Sequence, residues 1–336
     1  MLKNQIAKLV NGIDLSREET ENAFDKIMSG SVSDIQKSAF LTALSIKGET
    51  IDEITAAADT LRKFCTKVPH KCDSFEIVGT GGDKSNTFNI STTSAIILAA
   101  AGIHVSKHGN RAASSKCGAM DVIEAMGIDL DIPPEKSGKL LDSKGLCFLF
   151  AQKYHSSMKH VGLVRRELGF HTIFNIIGPL SNPAMPKFQL MGVYSEDLVE
   201  PLAEVLHNLG VENAMVVYGR DGLDEISLCG ETAVCEIIGG VKKSYVITPE
   251  DIGLSRRSKA ELVGGDSKKN CEITMNILSG TKGAKRDAVV LNAAYAYHTV
   301  HPEVSPIEAR NIIENTIDSG RAKAFIDDFI NTAKEV

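Results

Sequence analysis

Two acidic residues stand side by side at the end of a glycine-containing loop. In the segment YGRDGLDEIS, Asp224 and Glu225 follow an apolar strand pattern and a glycine turn, with Asp221 nearby. Neighbouring carboxylates offer the oxygen ligands that Mg²⁺ prefers, and Mg²⁺ is usually shared with substrate phosphates. The loop therefore predicts a site for a hard divalent cation. The alternative for this segment taken alone is a pair of solvated acids.

A second candidate is the glycine-rich segment VGTGGDKSNTFNIST at 78–92. An apolar strand runs into GTGG, whose missing side chains let the backbone approach an anion and direct N–H groups at it. Ser91 and Thr92 stand where the next helix begins, and the free N–H groups of a helix start favour phosphate. The spacing fits neither a Walker loop nor a dinucleotide fingerprint. A tight turn followed by a capped helix is the alternative.

The third candidate, SKHGNRAASSKCGAMDVIEAMG at 106–127, is a loop between a strand and a helix. Lys107, Arg111 and Lys116 bring three cations together with several hydroxyl and amide donors, which is costly unless an anion collects them. A loop that follows a strand lies at the sheet edge where α/β proteins bind ligands. This position favours phosphate binding over a solvated, charged loop.

The fourth candidate is the stretch FLFAQKYHSSMKHVGLVRRELGFHTIFNIIGPLSNPA at 148–184, which is rich in histidine and arginine. Arg165 is suited to hold a carboxylate through two parallel hydrogen bonds, although surface exposure is the usual fate of an arginine. Its histidines are typical of hydrogen-bonded structural residues as much as of catalysts. The segment GPLSNPA predicts a structural turn between two prolines.

The elements that position these segments begin with a helical region. Three capping boxes are predicted, at Ser16–Glu19, Ser33–Gln36 and Thr50–Glu53, where a hydroxyl and a later side chain satisfy free N–H groups. Gly30 and Gly48 provide the helix stops. Residues 1–67 are therefore predicted to form a small all-helical domain, with a linker at 66–74.

From Phe75 onward short apolar strands alternate with helices, which predicts an α/β domain over 75–336 with a mostly parallel sheet. The predicted strands are FEIVGT, IHVSK, GLCFLFA, NAMVVYG and TAVCEII. Residues 242–285 are polar and predicted as a partly strand-bearing excursion. The chain then closes with helices near 286–300 and 307–319.

Composition limits the classes of protein that remain. The chain has 336 residues, 43% hydrophobic and 24% charged, with a formal net charge of −6, so a nucleic-acid binder with a basic surface is not indicated. Seven scattered cysteines show no zinc or redox spacing, no His/Cys cluster suits a transition metal, and neither a secretion signal nor a membrane span is visible. These features predict a cytoplasmic protein with no membrane partner.

Taken in this order, GTGGD, KHGNRAASSKCG, the FLFAQ-to-SNPA stretch and the DGLDE loop resemble the anthranilate phosphoribosyltransferase family over essentially the whole chain. One departure is HSSM at 155–158, where the family pattern has HPAM. The resemblance implies an active site in the cleft between the two domains, part of 155–184 packing on the helical domain, and a homodimer formed through the helical domains.

The resemblance also implies the substrates phosphoribosyl pyrophosphate and anthranilate, with Mg²⁺ as the cofactor. Phosphoribosyl pyrophosphate would contact Gly79, Gly82, Asp83, Thr87, Asn89, Ile90, Ser91, Thr92, Lys107, His108, Gly109, Asn110, Arg111, Ala112, Ala113, Ser114, Ser115 and Ala119. Mg²⁺ would be bound by Ser91, Asp224 and Glu225, and anthranilate by Gly79, Asn110 and Arg165. Catalysis would rest on the two loop acids, with Lys107 beside the leaving group and His108 as a candidate proton acceptor.

Two other functions are compatible with part of the pattern. A pyrimidine nucleoside phosphorylase shares the KHGNR segment, but has no need of paired metal-binding acids such as Asp224 and Glu225. A non-catalytic homologue that binds nucleic acid is expected to have lost those acids or gained a basic face, and this sequence does neither.

Overall fold

The first 64 residues fold into four helices. The structure, a computed structural model, describes residues 1–83, 85–112 and 116–335. The four helices are α1 (Lys3–Val10), α2 (Arg17–Met28), α3 (Asp34–Lys47) and α4 (Ile51–Phe64). The capping boxes predicted at Ser16 and Thr50 are confirmed, since each hydroxyl accepts the N–H three residues on and receives the reciprocal glutamate.

The third predicted capping box was wrong. Ser33 occupies the N-cap position of α3 with extended backbone, but its side chain makes no capping hydrogen bond. The reason is that the Gln36 side chain accepts a hydrogen bond from the Leu2 N–H at 2.9 Å instead of turning back to its own helix. The start of α3 was therefore predicted correctly. The predicted capping role of Gln36 was wrong, because its side chain binds the backbone of the N-terminal segment instead.

The rest of the chain builds one seven-stranded sheet in the order β3-β2-β1-β4-β5-β6-β7. The strands are β1 (Phe75–Gly79), β2 (Val105–Gly109), β3 (Leu146–Phe150), β4 (Phe188–Gly192), β5 (Asn213–Gly219), β6 (Thr232–Ile238) and β7 (Val241–Ile247). The first five strands of this order are parallel, and the β5–β6 and β6–β7 pairs are antiparallel. A mostly parallel sheet beside a helical N-terminus confirms the predicted fold class.

Helices cover both faces of the sheet. They are α5 (Ile90–Ala100), α6 (Ala119–Ala125), α7 (Pro134–Lys144), α8 (Ala151–Tyr154), α9 (Gly162–Leu168), α10 (Phe174–Ile177), α11 (Val199–Asn208), α12 (Ser267–Leu278), α13 (Ala284–Val300), α14 (Pro306–Asp318) and α15 (Arg321–Glu335). The predicted excursion at 242–285 contains a strand, β7, and also α12, which the sequence analysis missed. No helix in the described residues is both long and apolar enough to cross a membrane.

Strand order changes direction between β1 and β4, because the chain builds β2 and β3 on one side of β1 and then returns to its other side. Such a switch point leaves a crevice at the carboxyl ends of the two strands, where α/β proteins bind ligands. The free N-terminus of α5 and the loop after β5 lie at this edge, so the topology alone brings distant segments together.

One apolar core joins the helical region to the sheet. Phe24 and Phe40 of α2 and α3 belong to the same buried cluster as Val78 of β1 and Met191 of β4. Seven apolar residues of the stretch 161–180 belong to this cluster, and the Phe24 ring contacts the Phe174 ring of α10 at a centroid distance of 5.8 Å. The helical region is therefore packed against one face of the sheet rather than attached by its linker alone.

Arg62 joins the helical region to the sheet side by two hydrogen bonds. Its Nε donates to the Leu180 carbonyl at 2.7 Å and its Nη1 to the Leu209 carbonyl at 2.9 Å. We expect Arg62→Met to lower the free energy of unfolding by about 3 kcal/mol, because two charge-assisted hydrogen bonds are lost. Chemical denaturation followed by circular dichroism measures this change.

The neighbouring Lys63→Met is the matched control. Lys63 lies on the same helix and pairs with Asp25 at the exposed surface at 3.0 Å. An exposed ion pair contributes at most about 1 kcal/mol, so this variant should differ little from the unsubstituted protein. Equal losses for the two variants would contradict the role given to Arg62.

Candidate active site

Two glycines make room for the acidic loop at the switch point. Gly79 ends β1 and Gly192 ends β4, and the two residues are paired in register. A Cβ atom at Gly79 would lie 2.3 Å from Asp224 Oδ2, and one at Gly192 would lie 1.7 Å from the Asp224 carbonyl oxygen. The loop that carries Asp224 therefore crosses directly over the ends of the two strands, which only glycine permits.

Backbone N–H groups from the glycine-rich segment donate to both acids. The Gly81 N–H donates to Asp224 Oδ2 at 2.6 Å. The Ser91 N–H, in the first turn of α5, donates to Glu225 Oε1 at 3.2 Å, although 134 positions separate the two residues in the sequence. The structure thus brings Ser91, Asp224 and Glu225 together at one edge of the sheet.

The acids are crowded and shielded from water. Asp224 and Glu225 are each 9% exposed. Burial, with the nearby charge of Asp83, raises the pKa of Asp224 to about 7. Burial, with the charge of Asp224, raises the pKa of Glu225 to about 8. Grouping three carboxylates in this way is unfavourable without a compensating positive charge.

The donor set fits a magnesium ion. Asp83 Oδ2 is buried with no hydrogen-bond partner among the described residues, and every side-chain ligand atom offered by Asp83, Asp224 and Glu225 is oxygen. Mg²⁺ takes one or two carboxylates together with substrate phosphates and water. A divalent cation here would satisfy the orphaned oxygen and offset the repulsion between the acids.

Lys107 lies beneath the acids rather than in the open crevice. It is 2% exposed, and its Nζ donates to the Ile77 carbonyl at 2.8 Å. Burial lowers the pKa of Lys107, while the charges of Glu76, Glu225 and Asp224 oppose that shift. Lys107 therefore supplies positive charge from within the sheet, next to the acidic cluster.

Glu76 is a buried acid that the sequence analysis did not single out. It lies in β1 with no exposed surface, and burial raises its pKa to about 7. Its Oε1 accepts a hydrogen bond from the His108 N–H at 3.2 Å. A glutamate within the apolar strand FEIVG was the only sequence signal for this residue.

His108 is buried with an unused ring nitrogen. It is 5% exposed, its ring centroid lies 5.1 Å from that of His155, and its Nε2 has no hydrogen-bond partner among the described residues. Burial, followed by the nearby His155 and Lys107, lowers the pKa of His108 well below its ordinary value. The ring is therefore neutral at pH 7, which leaves one nitrogen able to accept a proton.

The loop after β2 is held by its own side chains where it is described. Asp121 Oδ2 accepts the Ala112 N–H at 2.9 Å and the Gly118 N–H at 2.8 Å. Asn110 Oδ1 accepts the Arg111 N–H at 2.9 Å, and Arg111 pairs with Glu124 at the surface. Gly109 ends β2 beside these residues. Three residues named from the motif, Ala113, Ser114 and Ser115, lie outside the described residues.

The other residues named for the phosphorylated sugar lie along the same edge. Thr87 forms an isolated antiparallel β-bridge with Val263. Asn89 Oδ1 accepts a hydrogen bond from Asn270 Nδ2 at 2.9 Å. Ile90 and Thr92 are buried in the first turn of α5, and Ala119 opens α6.

Gly82 and Arg165 mark the side that faces the helical region. A Cβ at Gly82 would lie 3.1 Å from His171 Nε2, so 148–184 approaches the glycine-rich segment closely. Arg165 lies on α9, which packs against α3, and its guanidinium stacks 5.4 Å from the Phe174 ring centroid. Burial lowers the pKa of Arg165. The Arg165 side chain is thus partly desolvated where α9 meets the helical region.

Asn292 of α13 positions the acidic loop and was missed from the sequence. Its Oδ1 accepts the Ile226 N–H and its Nδ2 donates to the Ile226 carbonyl, both at 2.9 Å, and it has no exposed surface. A single asparagine within the apolar helix VVLNAAYA was its signal. Without knowledge of the sheet order, nothing indicated which loop it would hold.

The fold and this site define a glycosyl transferase with a helical-bundle domain and an α/β domain. The protein-family model for the "Glycosyl transferase family, helical bundle domain" matches residues 3–65. The model described as "Glycosyl transferase family, a/b domain" matches residues 71–323. The chain is also 56% identical to the anthranilate phosphoribosyltransferase of Methanobrevibacter smithii over 330 residues, covering 98% of each protein. The chain belongs to the anthranilate phosphoribosyltransferase family.

Solved structures agree with this assignment. The crystal structure of anthranilate phosphoribosyltransferase from Thermus thermophilus has a TM-score of 0.93 and 38% identity, covering 98% of this chain and 99% of that chain. The Saccharomyces cerevisiae enzyme in complex with PRPP and Mg has a TM-score of 0.93 and 29% identity, covering 100% and 98%. The same yeast enzyme has also been solved with 4-fluoroanthranilate, at a TM-score of 0.91, 27% identity and the same coverage.

Proposed function

We propose that this chain transfers the phosphoribosyl group of 5-phospho-α-D-ribose 1-diphosphate to anthranilate, releasing pyrophosphate, in tryptophan biosynthesis. The observation that carries this proposal is the buried acid pair Asp224–Glu225, held at the switch point by N–H groups of the glycine-rich segment and α5. The names of its relatives support the same reaction, as do the yeast complexes with PRPP and Mg and with 4-fluoroanthranilate.

The binding residues carried over from the family motifs remain part of this proposal, as does the division into a helical domain at 1–67 and an α/β domain at 75–336. Ser91, Asp224 and Glu225 would hold Mg²⁺, and the segments 79–92 and 107–115 with Ala119 would hold the phosphorylated sugar. When bound, Mg²⁺ supplies positive charge that neutralises the departing pyrophosphate. Lys107, buried beside the acids, adds positive charge from the protein.

The reaction exchanges one bond at the anomeric carbon. The C1–O bond to pyrophosphate breaks with its electron pair, the C1–N bond to the amine forms, and the amine then releases one proton. The crevice must hold the amine within about 3–3.5 Å of C1, on the face opposite the leaving group. We expect inversion at C1, which proton NMR of the product can establish.

The aromatic amine is already neutral at pH 7, so its attack requires no strong base. Its proton becomes acidic only after the C1–N bond has formed. Burial makes the imidazole of His108 a weak base, but the protonated aromatic amine formed by attack is a strong acid, so the unpartnered Nε2 of His108 can still accept its proton. We therefore assign His108 as proton acceptor and Arg165 as the cation for the anthranilate carboxylate.

Arg165→Ala is expected to raise the KM for anthranilate by roughly 10- to 100-fold, because a charge-assisted hydrogen bond to the carboxylate is lost. The KM for phosphoribosyl pyrophosphate should change little. Steady-state kinetics with each substrate varied in turn measures both. Arg166→Ala removes the same charge from the adjacent, exposed position and should leave both constants unchanged. An unaltered anthranilate KM in Arg165→Ala would refute the assigned role.

The reaction itself is tested by following the loss of anthranilate fluorescence with and without Mg²⁺ and phosphoribosyl pyrophosphate. We expect turnover only when both are present. Thymidine or uridine with inorganic phosphate tests the pyrimidine nucleoside phosphorylase alternative, and no free base should form. Release of base without anthranilate turnover would replace the proposed function, and DNA or RNA binding at moderate salt without turnover would favour a non-catalytic homologue.

We also propose a homodimer formed through the helical region. Apolar side chains are exposed on three helices that pack together there, with Ile35 82% and Ile46 81% exposed on α3, Val10 70% on α1 and Leu163 46% on α9. Exposed apolar side chains on neighbouring helices are a feature of protein–protein interfaces. A second copy of the chain is the partner that the family resemblance implies.

Replacing both Ile35 and Ile46 with lysine is expected to convert the dimer to a monomer, because each charge would be buried without a partner. Light scattering after size exclusion measures the mass. Ile307→Lys, at a 55% exposed site on α14, is the control and should stay dimeric. A monomeric unsubstituted chain at micromolar concentration would contradict the proposal. We retain the cytoplasm as the proposed location.

A further inference from the structure

The segment between α4 and β1 is fixed to the α/β part at several points. The Thr66 N–H donates to the Tyr154 carbonyl at 2.9 Å, and the Val68 N–H donates to the Pro183 carbonyl at 3.1 Å. Just beyond these contacts, His70 and Cys72 meet Asp142 of α7, and one ligand atom from each of the three lies within 4.8 Å of the others. This cluster was not apparent from the sequence, because Asp142 approaches His70 and Cys72 only through the fold.

The two nitrogens of the His70 ring have different surroundings. Nε2 lies 2.7 Å from the Ala184 carbonyl, which can only accept, so Nε2 carries a proton. Nδ1 lies 2.9 Å from the Cys72 carbonyl and 3.8 Å from Cys72 Sγ. The Nδ1 side of the ring therefore faces the Cys72 residue, and its distance to Cys72 Sγ places a nitrogen and a sulfur atom next to each other.

The arrangement of His70 matches that of a metal ligand. A histidine that binds a metal through one nitrogen almost always donates its other N–H to a carbonyl or carboxylate, which fixes the tautomer. Tetrahedral zinc with nitrogen at about 2.0–2.1 Å and sulfur at about 2.3 Å separates these two atoms by roughly 3.6 Å. The observed 3.8 Å between His70 Nδ1 and Cys72 Sγ is close to that value.

Asp142 completes the set and is held in place by the backbone. Its Oδ1 accepts the Lys71 N–H at 2.8 Å and the Cys72 N–H at 3.1 Å. A carboxylate whose orientation is already set by two N–H groups loses little freedom on binding a cation. The side chains of His70 and Cys72 are half-buried and that of Asp142 is exposed, so an ion can enter from solvent.

We propose that His70 Nδ1, the Cys72 thiolate and the Asp142 carboxylate form a site for Zn²⁺ or a similar borderline cation, with a fourth position for water. Formation of the metal–sulfur bond releases the thiol proton to solvent. The nitrogen and sulfur ligands distinguish this site from the all-oxygen acids of the crevice, which suit Mg²⁺. Such an ion ties the connecting segment to α7 and stabilises the junction between the helical and α/β parts.

The test is titration of the reduced, tag-free full chain with Co²⁺ in excess Mg²⁺, followed by near-ultraviolet absorption. Thiolate-to-Co²⁺ charge transfer reports sulfur ligation, which the oxygen ligands of the crevice cannot give. We expect one equivalent of Co²⁺ to produce this band and Zn²⁺ to displace it. Cys72→Ser should abolish the band, whereas Cys271→Ser, at another half-buried cysteine on α12, should retain it.

Asp142→Asn provides a second variant in which the amide oxygen can still accept the two backbone N–H groups. We expect it to weaken Co²⁺ binding by at least about 10-fold while the circular dichroism spectrum stays unchanged. Zn²⁺ should raise the Tm of the unsubstituted chain more than that of Cys72→Ser. Absence of a thiolate band in the unsubstituted chain, or a band that survives Cys72→Ser, would overturn the proposal.

Discussion

Gly192→Ala is expected to lower kcat/KM by at least about 100-fold and the free energy of unfolding by about 3 kcal/mol. The added methyl group would lie 1.7 Å from the Asp224 carbonyl oxygen and 2.4 Å from its carbonyl carbon, so backbone rather than a flexible side chain must move. Overpacking of this kind costs about 1–3 kcal/mol or more. A shift of about 1 Å in catalytic geometry can cost about 100-fold in rate.

Gly230→Ala is the matched control for this substitution. Gly230 lies in the same loop region, and a Cβ there meets nothing within 4 Å. Gly192→Ala should therefore be clearly less active than Gly230→Ala in fluorescence kinetics and clearly less stable in denaturant titration. Normal activity and stability in Gly192→Ala would show that the acidic loop does not lie against the end of β4.

Replacing Asp224 with Asn and Glu225 with Gln together is expected to abolish Mg²⁺-dependent turnover, with a loss of at least about 1000-fold. The amide oxygens can still accept the Gly81 and Ser91 N–H groups that the carboxylates now accept. The fold should therefore persist while the negative charge that attracts a divalent cation disappears. Anthranilate fluorescence across a range of Mg²⁺ concentrations measures the loss.

The control removes two carboxylates elsewhere near the same loop. Glu196 and Glu231 both pair with Arg220 at the surface, and Glu196→Gln with Glu231→Gln makes the same change in net charge. This control should keep its Mg²⁺ dependence and most of its activity. If the Asp224 and Glu225 double variant were as active as the control, the metal assignment would be wrong.

Both predictions depend on buried acids that the fold holds close together although their negative charges repel. Burial of Asp224 and Glu225 beside Asp83 raises the pKa of both buried carboxyl groups, which means that their charged forms are unfavourable in the protein alone. The paired glycines and the Asn292 side chain hold the loop in that position despite the repulsion. The site is therefore prepared for positive charge before any ligand binds, which is the preorganisation that electrostatic catalysis requires.

The amino-acid sequence alone determined the features that depend on a few neighbouring residues. Serine and threonine caps located the starts of α2 and α4, apolar runs located β5 and β6, and their alternation indicated the α/β class. The four motifs in order also identified the family. The caps and the apolar runs depend on hydrogen bonds or burial within one helix turn or one strand, so the local sequence contains the information.

Only the tertiary structure decided how distant segments meet. The strand β4, whose place between β1 and β5 creates the switch point, was not predicted from the sequence, and neither were the helices α7, α11, α12 and α15. Strand order and packing produce three contacts of this kind: Gly79 pairs with Gly192, Asp142 approaches Cys72, and Asn292 hydrogen-bonds to Ile226. Each of these contacts joins residues at least 66 positions apart in the sequence. Which residues meet depends on how whole strands and helices pack to bury their apolar faces. A short stretch of sequence does not contain this information.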